Sequence, residues 1–244
     1  LAAWLLIAEP PRARFDREAS SEVPSILAVL GRLLGLPSAR HLLAGSTLAS
    51  LVGFGLNGFF TFLLVRKFGM SLAQAAFFSA LLGSLPGAFS VLLGGKLADR
   101  FGPARPGLYA AIPGWCLVLA APIYVFAITR GSAPLLLTLV FVAALFQYTY
   151  LGVTYGVFQN LLHSRMRATG SALLNGIYTL VGQGLGALLV GALSDRLAPR
   201  YGSADGLAYA MAITAAIYLW AAAHYLLAAR HVGPDLARVR AGEE

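Results

Sequence analysis

The dominant pattern along this chain is a series of long apolar runs broken by short charged clusters. Stretches without Lys, Arg, Asp or Glu cover 41–65, 68–95, 106–129, 131–164, 168–194 and 206–229. Each is long enough for the roughly 20 residues that a helix needs to cross about 30 Å of hydrocarbon. They predict six membrane helices at about 41–64, 72–95, 107–129, 134–160, 168–193 and 207–229. Barrel strands alternate apolar and polar positions over about 10 residues, and these runs do not. Pro86, Pro113 and Pro122 fall inside the runs. In lipid such prolines are accommodated as kinks, because neighbouring groups re-satisfy the freed carbonyls.

The flanks read differently. Residues 1–8 (LAAWLLIA) are apolar but too few to span, and no basic region precedes them as a signal peptide would require. They read as the end of a membrane helix whose start is missing, so the chain is expected to be a fragment. Residues 9–22 are the most charged stretch, and 23–37 is leucine-rich but too short to cross, which suggests an interfacial helix. The polar end, 232–244, is expected to be a disordered tail.

Composition agrees with lipid as the solvent. Of 244 residues, 58% are hydrophobic and only 11% are charged, against about 25% charged in a soluble domain. Mean hydropathy is +0.74. The net charge of +8 does not suggest nucleic acid, because the basic residues sit between apolar runs rather than in a patch. They act instead as topology signals. With alternating helices, residues 9–40 share a side with Lys96, Arg100, Arg105, Arg165, Arg167 and the C-terminal arginines, while Arg66, Lys67, Arg130, Arg196 and Arg200 lie opposite. The positive-inside rule makes the first side, and the C-terminus, cytoplasmic. The Ala-, Leu-, Gly- and Arg-rich composition points to a bacterial inner membrane. One cysteine, Cys116, excludes an internal disulfide.

Two short segments repeat. Gly95-Lys96-Leu97-Ala98-Asp99-Arg100 and Gly191-Ala192-Leu193-Ser194-Asp195-Arg196 share a Gly-x-Leu-small-Asp-Arg pattern three helices apart. An odd number of crossings puts them on opposite faces, as an inverted three-plus-three repeat requires. A glycine permits close helix approach. The aspartate can accept from a neighbouring helix N-terminus, and the arginine can pair with an acid. Such a cluster can act as a conformational latch, and a polar turn holding a tight loop is the plainer alternative.

The first copy, with Phe101 and Gly102, resembles the G-x-L-a-D-r-x-G-r-k loop signature of the major facilitator superfamily, although Pro103-Ala104-Arg105 departs from its basic end. The resemblance implies an all-α integral membrane fold of twelve helices in two six-helix halves. Residues 1–8 would end helix 6, 9–40 would be the central cytoplasmic loop, 41–231 would form the C-terminal bundle of helices 7 to 12, and 232–244 the tail. Arg165–Ala172, followed by 182–195, is similar to helix 11 of spinster-like transporters, as is the Glu9-Pro10-Pro11-Arg12 stretch. Spinster-like proteins often carry Asp and Pro where this chain has Gln183 and Ala187. The resemblance implies a secondary transporter, not an enzyme, that moves a small organic or amphipathic solute by alternating access. Its partners would be that solute, membrane lipid and the missing N-terminal six-helix half. The alternatives are a half-size transporter acting as a dimer, and a non-transporting membrane receptor or scaffold on the same fold.

No acid or base lies in the middle of a predicted span, where buried charge normally marks coupling or substrate sites. Coupling would then use the missing half or a group at a span end. The remaining candidates are uncharged. Gln147, Tyr148, Tyr155 and Gln159 share roughly one helical face, Asn175, Tyr178 and Gln183 line part of the next helix, and Asn57 sits near the middle of the first. Amides and phenols are costly against lipid, so these residues should face helices or water. Asn57, Gln147, Tyr148, Tyr155, Asn175, Tyr178 and Gln183 are therefore expected to bind substrate, with interhelical glue as the competing role. The glycines Gly170, Gly176, Gly182, Gly184, Gly186 and Gly191 predict close packing. His163 and His224 look isolated from other ligands in sequence, and no phosphate loop, nucleophile elbow or HExxH pattern occurs. No cofactor or metal is expected.

Overall fold

A computed structural model describes residues 24–241, and among these the chain is helical throughout, with no strand. The expected helix end at 1–8, the charged stretch 9–22 and the last tail residues 242–244 lie outside the described residues. Helix α1, Ile26–Gly35, starts at Ser25, whose Oγ accepts from the Ala28 amide at 3.2 Å. It buries Val29 and Leu33 and leaves Ile26 and Leu27 exposed.

Helix α2, Pro37–Phe68, begins with a proline in its first turn, where the missing N–H costs nothing. It stops at Gly69, whose φ of 65° permits the left-handed cap. Met70 N–H then reaches back to the Leu64 carbonyl. Helix α3, Leu72–Phe101, opens with a capping box in which Ser71 and Gln74 each serve the other's amide. Helix α4, Leu108–Arg130, contains Pro113 and Pro122.

Several expectations change here. The predicted helix at 134–160 is two helices, α5 (Ala133–Gln147) and α6 (Thr149–Leu161), hinged at Tyr148 with ψ near −4°. The predicted helix at 168–193 starts as α7, Arg167–Ile177, and widens to a π-helical stretch over Tyr178–Leu185. It continues as α8, Gly186–Ala241, which breaks at Gly202 (φ 80°, ψ 166°). That break separates the last two predicted crossings. Among the described residues five stretches are long and apolar enough to cross a membrane, and the last of them, Ser164–Ala241, contains this break.

The expectation of a disordered C-terminal tail is corrected for 232–241. That stretch is helical and buries Val232, Asp235 and Leu236. Asp235 Oδ2 accepts from the Ser38 amide at 2.8 Å and from its hydroxyl at 2.6 Å. The leading residue of α2, Leu36, offers no side-chain cap, so a carboxylate 197 positions away meets the positive end of that helix instead.

The bundle closes by near-contact of backbones. A methyl on Gly55 would lie 2.8 Å from the Gly186 carbonyl oxygen, and one on Gly45 would lie 2.9 Å from the Tyr225 ring. Helix α2 is thus wedged against both halves of α8. On α4, Gly114 meets Tyr225 and Leu226, and Gly107 meets the Ala229 carbonyl. At the opposite end Lys67 Nζ ties three helices together, 3.1 Å from the Ile128 carbonyl and 3.2 Å from Asp205 Oδ1. The ends that meet are those that alternating helix directions require.

Replacing Gly55 or Gly186 by Leu must separate α2 from α8. The expected result is a loss of several kcal/mol of stability, beyond the ~1–3 kcal/mol of ordinary overpacking because backbone is in the way. Gly58→Ala, where nothing lies within 4 Å, should be near neutral. Thermal unfolding of the purified full-length protein checks both.

Candidate substrate cavity

The break at Tyr148 and the π-helical stretch at Tyr178 aim their tyrosines at a common space. Its volume is about 430 Å³, within the range of small-molecule sites. Its wall includes Ser50, Gly53, Phe54 and Asn57 from α2, and Val91 from α3. Gln147 to Tyr155 cross the α5–α6 hinge, and Asn175, Tyr178 and Thr179 close the far side. None of these lining residues is charged, and neither α4 nor the part of α8 after Gly202 contributes to the wall.

The structure thus brings Asn57, Gln147, Tyr148, Tyr155, Asn175 and Tyr178 to one cavity. Gln183 is exposed and lies outside that wall. Gln159, on the same predicted face as Tyr155, instead bonds Ser171 at 2.5 Å and joins α6 to α7. Ser50, Gly53, Phe54, Val91, Tyr150, Leu151, Gly152 and Thr179 complete the wall. Ser50 and Thr179 carry polar groups at helical spacing from known members, but Phe54 and Val91 have no sequence signal beyond their apolarity.

Four polar members, Asn57, Tyr148, Tyr155 and Asn175, have a helix-bridging contact as well as a place in the cavity wall. Asn57 Nδ2 donates to Tyr148 Oη at 2.9 Å, joining α2 to the hinge. Tyr155 Oη donates to Asn175 Oδ1 at 3.0 Å, joining α6 to α7. The rings of Tyr155 and Tyr178 meet edge to face, with centroids 5.9 Å apart. These bonds leave the Asn57 carbonyl, the Tyr148 hydroxyl proton and the Asn175 amide protons for a further partner. Gln147 is different. It is 2% exposed and its Oε1 accepts from the buried Tyr124 hydroxyl at 2.5 Å. Its main duty is to tie the hinge to α4. Tyr178 is also buried, and its hydroxyl passes Ser46 without a hydrogen bond of normal geometry.

The repeated motif residues lie inside helices. Gly95, Asp99 and Arg100 belong to α3 and Gly102 follows it, while Asp195 and Arg196 belong to α8, near the opposite end of the bundle. Asp99, Arg100, Asp195 and Arg196 are exposed. No ion pair joins them among the described residues; Arg100 lies over the Phe101 ring at 5.7 Å. Gly102 abuts the Tyr109 ring, which pins the α3–α4 connection. Among the described residues no group of three or more His, Cys, Asp or Glu is arranged to hold a metal ion.

An all-helical membrane bundle with an uncharged central cavity matches the family comparison. Residues 1–187 fit the model of the Major Facilitator Superfamily, and the chain belongs to that superfamily. It is similar to a bacterial homologue of the human lysosomal transporter Spinster. The inward-facing, unoccupied form superposes with a TM-score of 0.77 at 28% identity, covering 96% of this chain and 56% of that one. The inward-facing, occupied form gives 0.76 at 29% identity, covering 96% and 55%. An MFS-type efflux pump of Mycolicibacterium smegmatis is 29% identical over 203 residues, 82% of this chain and 46% of that protein. The chain spans about half the length of these relatives.

Tyr124→Phe leaves the Gln147 carbonyl without its buried donor. It should lower stability by about 1–3 kcal/mol, and Tyr148→Phe, which keeps its ring at the cavity rim, by less. Denaturant unfolding of the two variants side by side checks the order.

Proposed function

We propose that this chain forms the C-terminal six-helix half of a secondary transporter that moves a small amphipathic organic solute by alternating access. The observation that carries this reading is the cavity. Its wall is uncharged, rich in tyrosine, and supplied by α2, α3, the α5–α6 hinge and the π-helical stretch. A tyrosine offers ring and hydroxyl to the same ligand, so ring-bearing solutes with one polar end suit this wall. The free Asn57 carbonyl and Asn175 amide would orient that end.

The other half of the cavity would come from an N-terminal six-helix unit, and the substrate would bind near mid-membrane between the two. The exposed Asp-Arg pairs at Asp99 and Asp195 would then latch against groups of that unit. The distribution of arginines supports a cytoplasmic Arg40 end and C-terminus, and the Ala-, Leu-, Gly- and Arg-rich composition supports a bacterial inner membrane. The likeness to an efflux pump and to spinster homologues supports transport of this general kind.

Gly152 lines the cavity, and a Cβ there would meet Val91 Cγ1 at 3.3 Å. In the full-length protein Gly152→Trp should fill the space and cut transport at least about tenfold. Asn57→Leu together with Tyr155→Ala should do the same through lost orientation. The assay is uptake of ring-bearing amphipathic dyes into inverted vesicles, with Gly58→Ala as the control. Undiminished uptake by both cavity variants, at matched expression, sinks the proposed site.

A further inference from the structure

The fold gathers three histidines that the sequence scatters. His41 lies in the second turn of α2. His224 and His231 lie two turns apart on the last stretch of α8. His41 Nδ1 is 3.0 Å from His224 Nδ1, across a separation of 183 residues. Its ring also stacks on His231, with centroids 6.3 Å apart and planes 14° apart. The Trp220 ring lies near His224, with centroids 6.3 Å apart. The sequence expectation that His224 stands alone is therefore corrected. The cluster lies outside the cavity and contributes nothing to its wall.

We infer that the His41–His224 contact is a proton-released clasp between the start of α2 and the end of α8. Two imidazole nitrogens 3.0 Å apart attract only if one carries a hydrogen and the other a lone pair. The neutral pair satisfies this, and so does a pair carrying one extra proton on an outer nitrogen. A second proton leaves no lone pair between the rings and places two cations in contact. The groups that act electrostatically on His41 are His224, His231 and Arg40, all cationic or able to become so. On the same stretch of α8, Asp235 spends Oδ2 on Ser38, three residues before His41. Helix α4 packs on the same stretch of α8 through Gly107 and Gly114, which bring no charge.

The sign follows from proton counting. The open form holds more protons than the clasped one, so the clasp contributes at neutral pH and is lost on acidification, when the pair takes up its second proton. Because Asp235 keeps its hold on Ser38, release opens the second turn of α2 without detaching the first. The device thus loosens one helix end locally rather than unfolding the bundle.

Hydrogen exchange of the full-length protein, in nanodiscs between pH 8 and pH 5 and corrected for intrinsic rates, tests this. In the wild type, amides 41–46 should lose protection about fivefold or more at the acid end, which is the worth of one hydrogen bond. His224→Gln should abolish that pH response while the protein still folds, and His41→Phe should leave these amides permanently less protected. His163→Gln, at an exposed histidine elsewhere, should leave the response intact. Constant protection of 41–46 in the wild type overturns the clasp. So does a pH response that survives His224→Gln.

Discussion

The close approach of α2 to α8 is the contact on which the rest of the bundle depends. Lipid offers helices no hydrophobic reason to associate, so they hold together by packing and by interhelical hydrogen bonds. At Gly55 and Gly186 there is no side chain on either surface, and backbone meets backbone. This lets α2 touch α8 on both sides of the Gly202 break, with Gly45 against Tyr225 at one level and Gly55 against Gly186 at another. The polar ties then fall at the two ends. Asp235 serves the start of α2, and Lys67 links its last turn to the Ile128 carbonyl and to Asp205. With the ends fixed, the middle of α2 presents Ser50, Gly53 and Asn57 to the cavity.

The crossings were legible because desolvating a charge is costly enough to keep Lys, Arg, Asp and Glu out of each span. The charge-free runs marked where the membrane helices begin to within about a turn but not where they end, since α3 continues to Phe101 and α8 to Ala241. Helices do not stop where the hydrocarbon stops. Lys96, Asp99 and Arg100 remain helical because their charged heads face outward, and exposure carries no penalty there. The interruptions at Tyr148 and over Tyr178–Leu185 left no such trace. Neither carries a proline. They arise from tertiary packing, which a single sequence does not display.

The polar contacts along the cavity were legible for a related reason. An amide or phenol inside an apolar run must find a polar partner, and Asn57, Tyr148, Tyr155 and Asn175 found one another at the cavity wall. Gln147 reached the cavity by the same logic, but its principal bond goes to Tyr124, whose helix contributes nothing to the wall. Gln183 did not follow: it lies in the π-helical stretch Tyr178–Leu185, where the angle per residue changes, and outside the cavity wall. What sequence could not pair were groups far apart in the chain. Asp235 with Ser38, and His224 with His41, are each separated by more than 180 residues.

The two roles open to these polar residues, glue and ligand contact, are not rivals in this geometry. Asn57 spends a donor on Tyr148 and keeps an acceptor, whereas Tyr155 spends its donor on Asn175 and leaves amide protons on its partner. Each bond fixes the orientation of the group that remains free. A ligand then meets donors and acceptors that need no further ordering, which reduces the entropic cost of binding. An uncharged wall also limits what selectivity can be. A hydrocarbon pocket separates solutes by about 1–3 kcal/mol per methylene, but a fixed hydrogen-bonding group left unpaired by the wrong solute discriminates far more strongly. On the proposed reading, that discrimination would fall to Asn57, Tyr148 and Asn175, while the rings of Tyr155 and Tyr178 would accept a range of apolar shapes. Strict recognition at the polar end combined with tolerance along the apolar body would suit a carrier for a class of amphipathic molecules rather than for one compound.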